Sequence, residues 1–291
     1  MSAPGRFLVL GHDGFIGRVI VEKLRVRYPG AEINGRSIAD VDLTNEGSAD
    51  LLAPLLGSDC GVVMLAAMKR QLGDSIAMYE QNMRMVANLA RGIEKNPPKR
   101  VVFFSSTAVY GEDIANTAIT EDTQTNLRSF YGLAKLSGEL LLGKVCGLAT
   151  SLVCVRPPTV YGPGEKVISY GVGSFLKEVA AGGPIKMWGD GSELREMIFV
   201  EDLAGLVARL LDHSLTGALN IVAGHSYTFK DVLDGVRVAT GRDVAVETRA
   251  RSKDKVDNAF DNRRLREAFP DFRFTPLAEG IRRTAVAQGV A

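Results

Sequence analysis

The stretch Phe7-Leu8-Val9-Leu10-Gly11-His12-Asp13-Gly14-Phe15-Ile16-Gly17 decides how the rest of the chain is understood. Four apolar residues suited to a buried strand run into three glycines spaced GxxGxxG. Ile16, Val19, Ile20 and Leu24 then recur at helical spacing. Between a strand and a helix each glycine has a task. Gly11 permits the tight turn, and Gly14 lets a pyrophosphate reach the free N–H groups and positive end of the helix that Phe15 and Ile16 begin. Gly17 lets that helix lie close on the strand. A dinucleotide site at Gly11, Gly14, Phe15, Ile16 and Gly17 is predicted; the plainer alternative is a glycine turn that serves packing alone.

Outward from this turn, short apolar runs at 7–10, 62–65, 101–104 and 152–155 alternate with helical stripes such as Met78, Met85, Leu89 and Ile93. Alternating strands and helices imply βαβ units and an α/β, doubly wound (Rossmann) parallel sheet. After Tyr161 the chain becomes glycine-rich, which suggests a smaller, discontinuous α/β substrate lobe. The expected division gives 1–161 to the dinucleotide domain, with 196–215 packing back on it. The smaller lobe takes most of 162–195 and 216–291, including a short strand at 218–222.

Composition narrows the function classes. Of 291 residues, 35 are basic and 34 acidic, so a net charge of +1 gives no reason to expect nucleic acid or an acidic membrane as partner. The three cysteines, Cys60, Cys146 and Cys154, form no CxxC pair and read as core thiols in a reducing compartment. His12, His213 and His225 lack metal-ligand spacing, and no metal is expected. With neither a signal-peptide apolar region nor a membrane-length run, a cytoplasmic enzyme is predicted.

The second strand bears on the cofactor. Glu32 has the separation of an NAD-type ribose ligand but begins the strand, whereas Arg36 and Ser37 stand at its end. A guanidinium beside a hydroxyl suits a 2′-phosphate, so NADP(H) is favoured and NAD(H) is the alternative. Arg36 as a solvated loop charge is the bland counterpart. Asp42 and Leu43 are placed against adenine, and the small residues after Leu65, Ala66 and Ala67, leave room for a cofactor backbone.

The strand at 101–104 ends in Ser105-Ser106-Thr107-Ala108-Val109-Tyr110-Gly111. Ser129-Phe130-Tyr131-Gly132-Leu133-Ala134-Lys135 then opens an apolar helix. Four-residue spacing puts Tyr131 and Lys135 on one helix face. A nearby ammonium favours phenolate, so Tyr131 can exchange a proton with a hydroxyl while hydride passes to nicotinamide, and Lys135 can hold the nicotinamide ribose. Ser106 is set to stabilise charge on the same oxygen. A Tyr and a Lys four apart are common by chance in a chain with 7 Tyr; the order glycine turn, serine strand end, YxxxK helix is far more specific.

In this order the chain resembles an extended short-chain dehydrogenase/reductase of the NAD(P)-dependent nucleotide-sugar epimerase/dehydratase family. Arg156-Pro157-Pro158-Thr159-Val160-Tyr161-Gly162-Pro163-Gly164 is similar to the family's RPxNVYGPG segment. Gly189-Asp190-Gly191 and Arg195-Glu196-Met197-Ile198-Phe199-Val200-Glu201-Asp202-Leu203-Ala204 are similar to GDG and RDxIxVxDLA. The resemblance implies a Rossmann domain for the cofactor, with Pro157 beside it, and a second lobe for a nucleotide-diphosphate sugar. It also implies Arg195 on the diphosphate, Asn82 supporting Lys135, and a homodimer formed through two long helices. For Arg195 the plainer role is an ion pair with Glu193 or Glu196.

Departures from the family pattern narrow the chemistry. Thr107 and Ala108 follow Ser106 where dehydratases carry carboxylates, so water loss and decarboxylation are disfavoured. Ala108 also stands where a 3,5-epimerase carries Cys. There remains redox chemistry at one carbinol or keto carbon, C4 foremost, by an epimerase or a 4-ketoreductase, with Thr107 and Thr159 as substrate contacts. Thr159 replaces a family Asn. Lys69, with Arg70, can reach a diphosphate or belong to a solvated loop; Trp188 can pack on a base or in the lobe core. The alternative class is a catalytically silent cofactor-sensing or RNA-binding protein of the same fold. Such a protein is expected to lack Tyr131 or Lys135, or to be more basic.

Overall fold

The structure, a computed structural model, describes residues 3–68, 73–111, 114–166, 169–251 and 254–291. From the N-terminus it forms β1 (Arg6–Leu10), α1 (Phe15–Arg27), β2 (Glu32–Arg36), α2 (Ser48–Leu52), β3 (Cys60–Met64), α3 (Ile76–Lys95), β4 (Arg100–Phe104), β5 (Asn116–Ile119), α4 (Phe130–Cys146), β6 (Ser151–Arg156) and β7 (Thr159–Tyr161). It continues with α5 (Val172–Ala180), β8 (Ile185–Trp188), β9 (Leu194–Arg195), β10 (Met197–Phe199), α6 (Val200–Leu210), β11 (Gly217–Asn220), β12 (Tyr227–Thr228), α7 (Phe229–Thr240), β13 (Val246–Arg249), β14 (Asn258–Phe260), α8 (Arg263–Ala268) and α9 (Leu277–Ala287). Two compact units share the chain.

The first unit takes the described residues of Met1–Gly111, Gln124–Pro157 and Ala204–Asn220. Its sheet has six strands in the order β11-β6-β4-β3-β1-β2, all parallel, with flanking helices. Every residue of β3 and β4 is buried, which is why β3 and, after Arg100, β4 read as apolar runs. On one face Leu8, Val62, Val101 and Phe103 pack with Leu89 and Ile93 of α3 and Leu142 of α4. The order of strands reverses at β1, between β2 and β3. In open parallel sheets a crevice for ligands forms beyond the carboxyl ends of the strands at such a point.

The second unit takes the described residues of Glu112–Thr123, Pro158–Leu203 and Ile221–Ala291. It pairs β7 with β10, β8 with β13 and β5 with β14 in parallel, and β9 with β12 antiparallel. Phe175 and Leu176 of α5, Val232 and Val236 of α7 and Ile281 of α9 form its core. The Tyr170 ring lies 4.5 Å from Phe229 and 5.5 Å from Phe175, centroid to centroid.

These boundaries differ from the expected ones at three places. The strand assigned to the smaller lobe at 218–222 is β11, which extends the main sheet by pairing with β6, Leu219 opposite Val155. The described residues 114–123 leave the first unit because β5 pairs with β14, far along the chain. Residues 158–161 and 196–203 leave it because β7 and β10 pair with each other. Among the described residues no helix is long and apolar enough to cross a membrane.

Candidate active site

At the carboxyl end of β1 the backbone is packed too closely for side chains. Gly11 has φ of 89°, and its N–H donates to the Arg36 carbonyl at 2.8 Å. Leu65 and Ala66 both donate to the Leu10 carbonyl at 3.0 Å, so the chain leaving β3 lies across the turn. A Cβ on Gly11 would stand 3.0 Å from the Ala66 nitrogen, and one on Gly17 would stand 2.2 Å from the Gly11 oxygen. Gly14 caps α1 in an extended conformation with no side-chain cap, and the first turn holds no acidic residue. The N–H groups of Phe15, Ile16 and Gly17 have no acceptor among the described residues. A positive helix end, uncapped and lined by backbone, fits the pyrophosphate of a dinucleotide.

The end of β2 departs in part from expectation. The Arg36 guanidinium makes no hydrogen bond or ion pair among the described residues and is available for an anion. Ser37 does not: its N–H and hydroxyl both donate to Asp40 Oδ2 at 2.8 Å, holding that carboxyl below its ordinary range. The Ser37 proton is thus committed, and of the two expected anion ligands only the Arg36 side chain is unengaged. Asp42 Oδ1 accepts from the Thr44 hydroxyl and N–H at 2.7 and 2.9 Å, which ties one oxygen into a turn. Leu43, expected against adenine, is buried in the core because its side chain faces the α3 side of the sheet.

The catalytic candidates meet at the end of β4. Ser106 caps a 3-10 turn, Thr107–Tyr110, with its Oγ accepting from the Ala108 N–H at 3.1 Å. The Thr107 N–H donates to the Pro157 carbonyl at 3.1 Å, joining the turn to the end of β6. Ser129 caps α4, and the Tyr131 N–H donates to Asp74 Oδ1 at 3.0 Å. At Gly132 a Cβ would lie 2.9 Å from the Ala108 carbonyl oxygen, so only a glycine brings the first turn of α4 against the Ser106 turn. Gly138 does the same over Phe103, where a Cβ would lie 2.7 Å from the ring.

That close packing buries Lys135, which is 6% exposed. Its Nζ donates to the Phe104 carbonyl at 2.7 Å and stands 5.5 Å from the centre of the Tyr131 ring. Burial pushes the ammonium down to about 8, opposed by the charge of Glu139. Asn82, expected to support Lys135, does not reach it. Its amide accepts from the Met68 N–H at 2.8 Å and donates to the Met68 carbonyl at 3.2 Å, bracing the chain beyond Ala67. Lys69 lies outside the described residues.

In the second unit Arg195 is already engaged. Its guanidinium donates to the Leu194 carbonyl at 2.9 Å and to the Val256 carbonyl, and it pairs with Glu193. Glu196 is not its partner: that carboxylate is buried and accepts from the N–H groups of Ala223 and Gly224 at 2.7 and 3.1 Å. Thr159 begins β7, opposite Met197. Trp188 is 40% exposed, with the Arg249 guanidinium 5.7 Å from its ring, and is not a core residue.

Three groups were missed in the sequence. Asp74 sits at the head of α4 and Glu139 lies one turn beyond Lys135; helical spacing from Tyr131 could have found the second. Ser105 Oγ is buried with no partner among the described residues, beside the Phe104 carbonyl that holds Lys135.

A doubly wound sheet with an uncapped, glycine-lined helix end and a Tyr–Lys helix beside a serine turn defines a dinucleotide-dependent oxidoreductase of the Rossmann class. The chain belongs to the NAD-dependent epimerase/dehydratase family, whose profile matches residues 7–222. It is 28% identical to a dTDP-4-dehydro-6-deoxy-D-allose reductase of a Streptomyces species, over 96% of this chain and 94% of that one. It is 28% identical to a UDP-glucose 4-epimerase of Mycolicibacterium smegmatis, over 96% and 97%. The crystal structure of Thermus thermophilus UDP-glucose 4-epimerase in complex with NAD superposes with a TM-score of 0.83 at 26% identity, covering 98% of this chain and all of that one.

Proposed function

We propose that this enzyme transfers hydride at one carbinol or keto carbon of a nucleotide-diphosphate sugar, C4 foremost, as a sugar-nucleotide epimerase or a 4-ketoreductase. The observation that carries this reading is the buried Lys135 ammonium, fixed by Phe104 beneath Tyr131 and beside the turn that Ser106 caps. Relatives at 28% identity include enzymes of both kinds.

The dinucleotide, when bound, supplies the hydride acceptor or donor. Tyr131 takes the hydroxyl proton as the carbinol is oxidised, and gives a proton to the oxygen when the ketone is reduced. Lys135 favours the phenolate form of Tyr131 and offers its remaining protons to the nicotinamide ribose. Ser106, whose Oγ accepts from Ala108, keeps its own proton for the sugar oxygen. Ala108 is buried and Thr107 bears no acid, so nothing in this turn removes water from the sugar.

Arg36 supports NADP(H) as the preferred cofactor, with NAD(H) as the alternative. Arg195 is the diphosphate ligand in this reading and Thr107 and Thr159 touch the sugar nucleotide. A homodimer through α3 and α4 is supported by the exposed Ile76 and Leu140 on them. Three buried thiols, none in a disulfide, suit the cytoplasm. The test is a panel of nucleotide-diphosphate sugars and their 4-keto forms, assayed with NAD(H) and NADP(H). Epimerisation with retained dinucleotide selects the epimerase and stoichiometric NADPH consumption selects the reductase. Inertness towards every member would contradict both.

A further inference from the structure

We propose that Glu139 and Arg156 form a positioning pair for Lys135: Arg156 holds the Glu139 carboxylate one helical turn beyond the ammonium, where its charge keeps Lys135 protonated without bonding to it. This rests on the Tyr131–Lys135 reading above.

Tyr131, Lys135 and Glu139 follow one another at four-residue intervals on one face of α4. A carboxylate so close to a buried ammonium would ordinarily swing onto it, and the ion pair would withdraw the ammonium from Tyr131 and from the cofactor ribose. Here both carboxylate oxygens are taken. Arg156 Nε donates to Oε1 at 2.9 Å and its terminal nitrogen to Oε2 at 2.6 Å, a two-point clamp with both side chains under a tenth exposed. Lys135 forms no ion pair among the described residues; its hydrogen bond goes to the Phe104 carbonyl.

The clamp is itself braced. The other terminal nitrogen of Arg156 donates to Tyr110 Oη at 2.8 Å, and the guanidinium lies 5.1 Å from the centre of the Tyr110 ring. Tyr110 Oη donates in turn to Asn220 Oδ1 at 2.8 Å. Glu139 is therefore tied to β6, to the 3-10 turn after Ser106 and to β11, three elements that α4 cannot move without breaking. Such a network suits a charge that must act from a fixed distance.

The groups around Lys135 leave Glu139 as the charge that sets its protonation. On α4 the others are Tyr131 and Lys135 itself. From β4 come the Phe103 ring and the Phe104 carbonyl, and from α3 the uncharged Val86 at Gly138. β6 contributes Arg156 and Cys154, whose thiol burial drives well above its ordinary range, and the 3-10 turn contributes Tyr110. Burial lowers the Lys135 pKa and Glu139 opposes the fall.

The test reads Lys135 directly in the protein without cofactor or substrate. Its side-chain NMR signal, assigned with Lys135→Arg, is followed against pH. Glu139→Gln is expected to lower the titration midpoint by about one pH unit and to move the alkaline limb of the turnover profile down with it. Because Glu139→Gln strands the Arg156 charge and can fail to fold, the double variant Glu139→Met/Arg156→Met is measured too, since replacing both members of a buried pair is often neutral for stability. It is expected to show a fall in the same direction but smaller, because the Arg156 charge leaves with the carboxylate. An unmoved midpoint in either folded variant overturns the proposal. A shifted midpoint in an enzyme inert to all nucleotide sugars would leave the pair standing and sink the functional reading instead.

Discussion

The ammonium of Lys135 sits 5.5 Å from the centre of the Tyr131 ring, one helical turn along α4. In the proposed reaction a buried cation at that range favours the phenolate of Tyr131, and the same burial pushes the Lys135 ammonium down to about 8. In the proposed reaction, acid–base strength at this site is a property of the pair.

The glycine turn tolerates no side chain. Gly17→Ala places a methyl 2.2 Å from the Gly11 oxygen and 2.8 Å from the His12 Cα, both backbone atoms that cannot move aside. The expected result is a destabilisation of about 1–3 kcal/mol in a denaturant titration and loss of dinucleotide binding by fluorescence. Unchanged binding would show that the turn serves packing alone.

In the proposed reading Arg36 sets the cofactor preference. Replacing it with Ala is expected to weaken NADPH binding by about tenfold or more, the worth of a charged hydrogen bond, and to leave NADH binding unchanged in calorimetry. Equal losses for both cofactors, or none for either, would assign Arg36 to the solvated surface.

Glu193 pairs with Arg195, the residue that the proposed reading assigns to the diphosphate. With the carboxylate neutralised in Glu193→Gln, Arg195 is freed from its partner, and UDP and dTDP are expected to bind about two- to fivefold more tightly. Arg195→Ala is expected to weaken both. If Glu193→Gln weakens binding instead, the glutamate orients the guanidinium and does not oppose the ligand.

Glu196 makes stability depend on pH. Burial pushes its carboxyl up to about 7 from an ordinary 4.5, against the hydrogen bonds from Ala223 and Gly224. A folded value above the unfolded one means the native state holds the proton longer. Its stabilising contribution is complete below about pH 4.5 and is lost as pH rises through 7. Glu196→Gln is expected to melt at a higher temperature than the unmodified protein at pH 8 and near it at pH 5. The reverse order would contradict the burial argument.

What was legible in the sequence follows from what is local. Strands β1, β3, β4 and β6 announce themselves because a parallel strand buried on both faces carries a continuous apolar run. The glycine turn and the Tyr131–Lys135 helix are equally local, needing only spacing. β5 and β11 were misassigned because their partners, β14 and β6, lie far along the chain and short strands carry no record of register. Asn82 and Ser37 bond to groups other than those expected for a related reason. Spacing puts a polar residue on a face, but its acceptor is chosen by neighbouring backbone, here Met68 and Asp40. Glu139 was within reach of periodicity, yet its meaning depends on Arg156, which only β6 brings to it.

The most direct measurement is single-turnover nicotinamide absorbance, with the enzyme and its Tyr131→Phe variant mixed against nucleotide-diphosphate sugars and their 4-keto forms. At least one sugar is expected to change the absorbance with the unmodified enzyme, and Tyr131→Phe is expected to slow that change by about 10²–10⁴-fold while binding dinucleotide as before. An equal rate in the two proteins would contradict the assignment of Tyr131 as the group that moves the proton.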